Sequence, residues 1–425
     1  MMDIYSELEW RGMLSESTEG VREALLGAPL TGYIGFDPTA PSLHVGSLLT
    51  VMGLARLQRF GHNPIAIVGG GTGMIGDPSG KSQERVLLSS ADVEANVAGI
   101  RQQLEKFLDF NAPRNAARIV NNADWLGTID VLSFLRDVGK HFTVNYMLQK
   151  ESVARRLESE EGISYTEFSY LVLQAYDYLQ LFDRYQCTLQ LGGSDQWGNI
   201  TAGIELIRKL RAQKTHGLVW PLMTTASGVK FGKTEAGAVW LDPVRTTPFH
   251  FYQFWLNTDD RDVIRYLKCF TFLERDSIEA LARATQEKPE AREAQRALAR
   301  EVTALVHGSD QVAKAERAAS VLFAKADETL SVTDPAAVLM AYADAPSTDM
   351  ALPPEGILLV QLLATVKLAA SRSEATRLIR SGGIYVNNVR AADEKALVSA
   401  ADAIGGQVIV LRKGRREQHV VRVRS

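Results

Sequence analysis

Between Thr31 and Arg85 the apolar residues first alternate and then take up a helical period, in the stretch TGYIGFDPTAPSLHVGSLLTVMGLARLQRFGHNPIAIVGGGTGMIGDPSGKSQER. The alternation predicts a short strand over 33–36. Asp37, two prolines and Ser42 then lead into an amphipathic helix that carries His44, Gly46 and Ser47 in its first turn and runs to Gly61. A second strand over 65–68 opens into a glycine-rich loop. Strand, helix, strand is a βαβ unit, and its polar residues gather where strands end and the helix begins, the end at which such units bind ligands.

The same rhythm continues to about Leu222. Helices are predicted over 92–110, 130–138 and 168–181, strands over 118–121, 187–191 and 219–224, and a mixed helical segment over 141–157 that need not join the sheet and fits a subunit contact. Alternating strands and helices argue a parallel sheet covered on both faces. From Pro248 to Met340 helical periodicity takes over. Prolines 346, 353 and 354 mark a linker, and a last module of helix and short strands follows from Ile357.

Charge adds information only through its distribution. Lysine and arginine number 47 against 50 acids, so the total excludes neither nucleic acid nor acidic partners, but LRKGRREQHVVRVRS at the end is basic and alternates with valine like a strand. Two cysteines, Cys187 and Cys269, far apart and outside any CxxC context, argue a reducing, cytoplasmic setting with neither a disulfide framework nor a cysteine-based structural metal site. The first residues, MMDIYSELEWRGMLSES, mix acids among apolar positions unlike a secretory leader, and no uninterrupted apolar run approaches membrane-spanning length.

The first turn of a helix offers backbone N–H groups and partial positive charge to a phosphate, and Gly46 removes the side chain that would block it. His44 can donate to a phosphate oxygen, with Asp37 and Thr39 bordering the same cavity. Far downstream, Lys230-Phe-Gly-Lys233-Thr234 sets two ammonium groups three residues apart on a loop softened by Gly228 and Gly232, a device for meeting negative charge on a polyphosphate. Two nearby fingerprints fail. Gly71-x-Gly73-x-x-Gly76 is followed by Asp-Pro-Ser-Gly, which breaks the helix a dinucleotide site needs, and Gly76 to Ser82 is one residue short of a Walker A loop. A nicotinamide-dependent oxidoreductase is thereby disfavoured.

HVGS at His44–Ser47 and KFGKT at Lys230–Thr234 resemble the HIGH and KMSKS signatures of class I aminoacyl-tRNA synthetases, and TGYIGFDPTAPSLHVG, GGGTGMIGDPSGK, YLVLQAYDYLQL and QLGGSDQWGNI look specifically like the bacterial tyrosyl enzymes. The resemblance covers essentially the whole chain. It implies an α/β fold: a Rossmann-like parallel-sheet catalytic domain over 1–225, the KFGKT loop and a helical anticodon-side domain over 226–345, a linker over 346–356, and over 357–425 a small α+β RNA-binding domain of a type first described in a ribosomal small-subunit protein.

The resemblance also implies site residues. Asp177 and Tyr33 would meet a phenolic hydroxyl; Tyr170, Gln174 and Asp77 the substrate ammonium; Gln196 its carboxylate, with Gln190 close by. Tyr170, Gln174 and Asp177 share a helix face by their spacing of four and three. ATP would lie against Asp37, Thr39, His44, Gly46 and Ser47, with its ribose near Thr50, Gly193 and Asp195, and Lys81, Arg85, Lys230 and Lys233 would hold the departing pyrophosphate. Serine stands where that signature has its second histidine, with shorter reach and no charge. Magnesium accompanies the phosphates, and no structural metal is implied. Arg372, Arg377 and Arg380 form a basic face suited to RNA phosphates. Partners implied are L-tyrosine, ATP, tRNA(Tyr) and a second copy of the chain. The rivals are a tryptophanyl relative, disfavoured by Tyr33 and Asp177, and a non-catalytic RNA-binding protein, disfavoured by intact His44, Asp77, Lys81 and both loop lysines.

Overall fold

The computed structural model describes residues 3–79, 88–158, 162–228, 231–234, 237–322, 324, 328–330, 334–414 and 417–424. Two compact units emerge, Met1–Thr247 with Phe254–Val306, and Pro248–Gln253 with His307–Ser425, so the predicted helical domain is divided between them.

The first unit is built on a six-stranded sheet of β1 (Glu16–Ser17), β2 (Thr31–Phe36), β3 (Asn63–Val68), β4 (Arg118–Asn121), β5 (Cys187–Gly193) and β6 (His216–Trp220), in the spatial order β1-β6-β5-β2-β3-β4. All neighbours are parallel except β1, an antiparallel edge on β6 that the sequence pattern did not reveal. Two residues carry too weak an alternation to read. From β2 the chain moves outward to β3 and β4, and it resumes on the other side at β5. The order therefore reverses between β2 and β5, and the carboxyl ends of these two strands border the crevice where open α/β sheets bind ligands.

Strand β6 starts at His216 and stops at Trp220, earlier than the predicted 219–224, because Pro221 has no N–H for the ladder of a strand paired on both sides. Helix α1 (Val45–Arg59) joins β2 to β3, and a positive φ of 90° at Gly61 ends the turn beyond it. It is not the half-exposed amphipathic helix expected. Ten consecutive-turn residues from Val45 to Leu57, Arg56 among them, are buried, because the helix Asp260–Phe270 covers its outer side. Ser89 and Asp92 form a capping box that starts α2 (Ser90–Leu104). Helices α3 (Tyr165–Tyr185) and α4 (Trp197–Arg211) close a core of Tyr33, Ile65, Ile67, Leu171, Tyr178 and Leu206.

The second unit contains a five-stranded sheet in the order Val389–Arg390, Ile384–Val386, Val408–Lys413, Glu417–Val423, Ser347–Met350. Alternation sorts its strands: Ile409, Leu411 and Val421 pack with the helices Leu359–Thr365 and Arg372–Arg380, while Val408, Val410 and Val420 pack with Val321, Ala337 and Val338. The stretch read as a linker, 346–356, contributes an edge strand instead. Ser347–Met350 runs parallel to Glu417–Val423, Thr348 hydrogen-bonds His419 at 2.9 Å, and Pro346 precedes the strand where no ladder N–H is required. No helix among the described residues is long and apolar enough to cross a membrane.

Candidate active site

The start of α1 and the KFGKT segment meet. His44 is the N-cap residue, extended at φ −122° and ψ 169°, and makes no side-chain capping bond. A Cβ on Gly46 would lie 2.7 Å from His44 Cε1 and 2.8 Å from Nδ1, so only glycine lets the imidazole fold over the first turn. Gly232 has φ +83°, and a Cβ there would lie 2.9 Å from Val45 Cγ2 and 3.1 Å from the Gly46 nitrogen. The loop backbone thus rests directly on the His-x-Gly turn.

Phe231 anchors it. Its buried ring sits among Phe254, Trp255, Tyr266 and Phe270, with centroids 5.8, 5.7, 4.9 and 5.1 Å away. Phe231 thus fills an aromatic cage, and Gly232 takes a positive φ of 83° that favours glycine. Lys233–Thr234 then pairs with Gly237–Ala238 in a short hairpin. Lys230, Lys81 and Arg85 lie outside the described residues, and for Lys233 only the backbone is described. Thr39 and Gly46 are exposed, and Ser47 and Thr50, three residues apart and so neighbours on α1, are half-buried.

Across the switch point a second set converges. Tyr33 on β2 lies opposite Gln190 on β5 in the strand register. Both are buried, and Tyr33 Oη and Gln190 Oε1 find no hydrogen-bond partner among the described residues. Native proteins rarely leave two such atoms side by side unless something else satisfies them. Asp177 on α3 is buried too, and it accepts from Trp125 Nε1 at 2.6 Å and Asn122 Nδ2 at 2.9 Å. Burial lifts its pKa to about 7, against the lowering effect of those two bonds. Burial and the nearby Asp177 charge push the Tyr33 phenol well above its ordinary value, so it stays a donor.

The remaining polar residues form chains between these poles. Tyr170 Oη donates to Asp37 Oδ2 at 2.8 Å, Thr72 Oγ1 donates to Asp37 Oδ1 at 2.8 Å, and Asn122 Nδ2 donates to Thr72 Oγ1 at 2.9 Å. Tyr170 is therefore turned to Asp37. Gln196 Nε2 donates to Asp77 Oδ2 at 2.7 Å, Gln174 Nε2 to Gln196 Oε1 at 3.2 Å, and Asn199 Nδ2 to Gln174 Oε1 at 2.9 Å. Gly69 is forced by the same packing, since a Cβ there would lie 2.3 Å from Asp37 Oδ1. The glycine-rich loop thus serves close contact with Asp37, and a 3₁₀ turn, Thr72–Met74, follows where a dinucleotide site would need a helix. Gly193 and Asp195 stand at the end of β5, the Asp195 carboxylate 2.6 Å from where a Gly193 Cβ would be.

Sequence reasoning missed Asn122, Trp125, Thr72 and Asn199. Asn122 carried a legible signal, because it stands just past the carboxyl end of β4, where ligand-facing residues collect. Trp125 and Asn199, both buried, carry no comparable positional signal.

A sheet that opens at its switch point beside a His-x-Gly helix start with KFGKT seated on it is the arrangement of a class I aminoacyl-tRNA synthetase, and residues 26–324 match the family described as tRNA synthetases class I (W and Y). Residues 338–421 match the tyrosine–tRNA ligase SYY-like C-terminal domain. The chain is 55% identical to the tyrosine–tRNA ligase of Roseiflexus castenholzii over 100% of both chains, and 51% identical to that of Geobacillus kaustophilus over 99% of this chain and 100% of the relative. A C-terminally truncated mitochondrial tyrosyl-tRNA synthetase from Aspergillus nidulans superposes with a TM-score of 0.67 at 32% identity, covering 74% of this chain and 92% of that one. The chain belongs to the tyrosine–tRNA ligase family.

Proposed function

We infer that this chain activates L-tyrosine with ATP, giving tyrosyl-adenylate and pyrophosphate, and then transfers the tyrosyl group to the 3′ end of tRNA(Tyr). The observation that carries the amino-acid choice is the buried, unpartnered Tyr33 hydroxyl, within electrostatic reach of the buried Asp177 carboxylate. Tryptophan brings no hydroxyl to satisfy that pair, which disfavours the tryptophanyl relative. A substrate phenol donates to Asp177 and accepts from Tyr33. Phenylalanine would leave both unpaired, the mode of discrimination for which this enzyme family is itself the standing example.

Asp77, Gln174 and Tyr170 then hold the ammonium group, the last with Asp37 as its hydrogen-bond partner, and Gln196 with Gln190 nearby holds the carboxylate. Thr39, His44 and Gly46 cradle the triphosphate, Ser47 and Asp37 border it, and Thr50, Gly193 and Asp195 take the ribose. The tyrosine carboxylate attacks the α-phosphorus in line, one P–O bond forms, and the bond to the bridging oxygen breaks with pyrophosphate leaving. Lys81, Arg85, Lys230 and Lys233 neutralise the charge that grows on the leaving group. Positioning and charge stabilisation do this work, and no side-chain nucleophile is needed. Magnesium bound with ATP would supply charge screening of the phosphates. Amino-acid-dependent exchange of labelled pyrophosphate into ATP, run over the standard amino acids, tests the reading: tyrosine should support it, and equal exchange with tryptophan, or none with any, would overturn it.

RNA binding falls to the C-terminal unit. The helix Arg372–Arg380 presents Arg372 and Arg377 exposed, while Arg380 is held by Glu394 through bonds of 2.7 and 3.0 Å. Arg377→Glu is expected to weaken tRNA binding roughly tenfold at low salt and to flatten its salt dependence, with pyrophosphate exchange unchanged. Unaltered tRNA affinity would remove this face from the interaction.

The dimer expectation gains support from the helix Val131–Asp137, which precedes the 141–157 segment read as the subunit contact: it buries none of its residues and exposes Val131 at 72%, Leu132 at 78% and Leu135 at 48%, and Val144 within that segment is exposed at 60%. A monomer would show such a patch to water, whereas a second copy would cover it. Leu132→Asp should shift the protein to monomer in sedimentation velocity; an undisturbed dimer would place the contact elsewhere. Both cysteines are buried and unbonded, in keeping with a cytoplasmic setting.

A further inference from the structure

Helix α1 bears on Phe231 and Gly232 in two ways, once directly and once through a neighbouring helix. Its first turn meets Gly232 directly. Ten residues past Gly46, about 15 Å along the axis at about 1.5 Å per residue, Arg56 reaches the end of the helix Asp260–Phe270. Arg56 is 1% exposed and donates to the carbonyls of Cys269 at 2.9 Å, Thr271 at 2.7 Å and Lys268 at 3.1 Å. Arg11 shares two of these acceptors, Lys268 at 2.8 Å and Thr271 at 3.3 Å, and adds Leu273 at 2.9 Å. The Lys268, Cys269 and Thr271 oxygens belong to a helix terminus, which leaves its last carbonyls without N–H partners and carries the negative end of the dipole.

Two guanidinium groups beside one carboxylate, Glu7, are a costly burial unless such dipoles hold them. Burial first, then Arg11, draw the Arg56 pKa down to about 9, so it remains charged at neutral pH. Phe270 lies in sequence between the clamped carbonyls of Cys269 and Thr271, and its ring stacks on Phe231 with centroids 5.1 Å apart and planes 18° apart. Any shift of this helix end moves one wall of the Phe231 socket, and Phe231 lies between Lys230 and Gly232.

We propose that Arg56 is a positioning residue for adenylate formation: by clamping the carboxyl end of helix Asp260–Phe270 to α1, it sets the placement of the KFGKT segment over the His44–Gly46 turn. This rests on the reading that the loop lysines act on the departing pyrophosphate. A lysine at position 56 keeps a cation but has no planar fork to span three carbonyls.

The test measures single-turnover adenylate formation and tyrosine affinity by equilibrium dialysis in full-length protein, for Arg56→Lys, Lys233→Ala and the double variant. Arg56→Lys is expected to slow adenylate formation about tenfold or more with tyrosine affinity within about twofold. In the Lys233→Ala background the same change should cost no more than about threefold, because residues acting through one device are not additive. Equal losses in both backgrounds, or tyrosine affinity falling in step with rate, would make Arg56 general support for the fold and overturn the proposal alone. An unchanged Lys233→Ala rate would overturn the loop reading and this proposal with it. If Arg56→Lys fails to fold, Phe270→Leu, which breaks the ring stack without touching the buried charge, enters the same cycle with the same expected and contrary outcomes.

Discussion

Replacing Asp177 with alanine is expected to weaken tyrosine binding by roughly a hundredfold or more while leaving ATP affinity within about twofold, since a hydrogen bond to a buried charge is worth about 2–3 kcal/mol. The substitution removes the proposed acceptor for the phenol and also strands two donors, Trp125 Nε1 and Asn122 Nδ2, that now end on the carboxylate. Equilibrium dialysis against tyrosine and ATP separately decides it. Equal loss of both ligands would sink the pocket assignment.

The same carboxylate makes binding depend on pH in a definite direction. Its folded pKa is raised from 3.8 to about 7 by burial, so its ionised fraction falls as pH drops below that value. A phenol that donates to the carboxylate favours the ionised form. Tyrosine affinity should therefore tighten about tenfold per unit as pH rises towards about 7 and level off above it. Asp177→Asn should flatten the profile, and an unchanged profile in that variant would assign the titration elsewhere. For the free protein the sign is opposite: the folded state holds this proton more tightly than the unfolded chain, so its stability falls as pH climbs from about 4 to about 7.

Lys233→Ala is the second large effect. If Lys233 meets transition-state charge, as proposed, its removal should slow adenylate formation on the order of a hundredfold, with tyrosine affinity unchanged. Quenched-flow measurement of adenylate in a single turnover checks it. An unaltered rate would take this lysine out of the chemistry. The seating of Gly232 on the His44–Gly46 turn is what motivates the expectation, because it brings the backbone of the lysine loop to a helix start, the kind of place that suits a phosphate.

Much of this was legible in the residues themselves. The strand Arg118–Asn121 appears where its β-branched run predicts it, and α1 begins where His44 and Gly46 announce it. Such signals are local: side-chain period, proline, glycine and capping chemistry act within a few residues. The basic, valine-alternating end is likewise a strand, Glu417–Val423. The stretch around Pro346 misled because Ser-Thr-Asp-Met has no strong propensity of its own and becomes a strand only when Glu417–Val423 offers it an edge.

The sequence by itself determined the βαβ rhythm, the glycine-dependent turns and the HVGS and KFGKT signatures, because each depends on the chain's own short-range geometry. Only the tertiary structure decided that Gly232 rests on Gly46, that Asn122 and Trp125 hold Asp177, and that Arg56 reaches the end of a helix more than two hundred residues away. Those contacts join parts of the chain whose local preferences carry no trace of one another; burial and unsatisfied hydrogen bonds bring them together, and both exist only once the sheet has closed its neighbours around them.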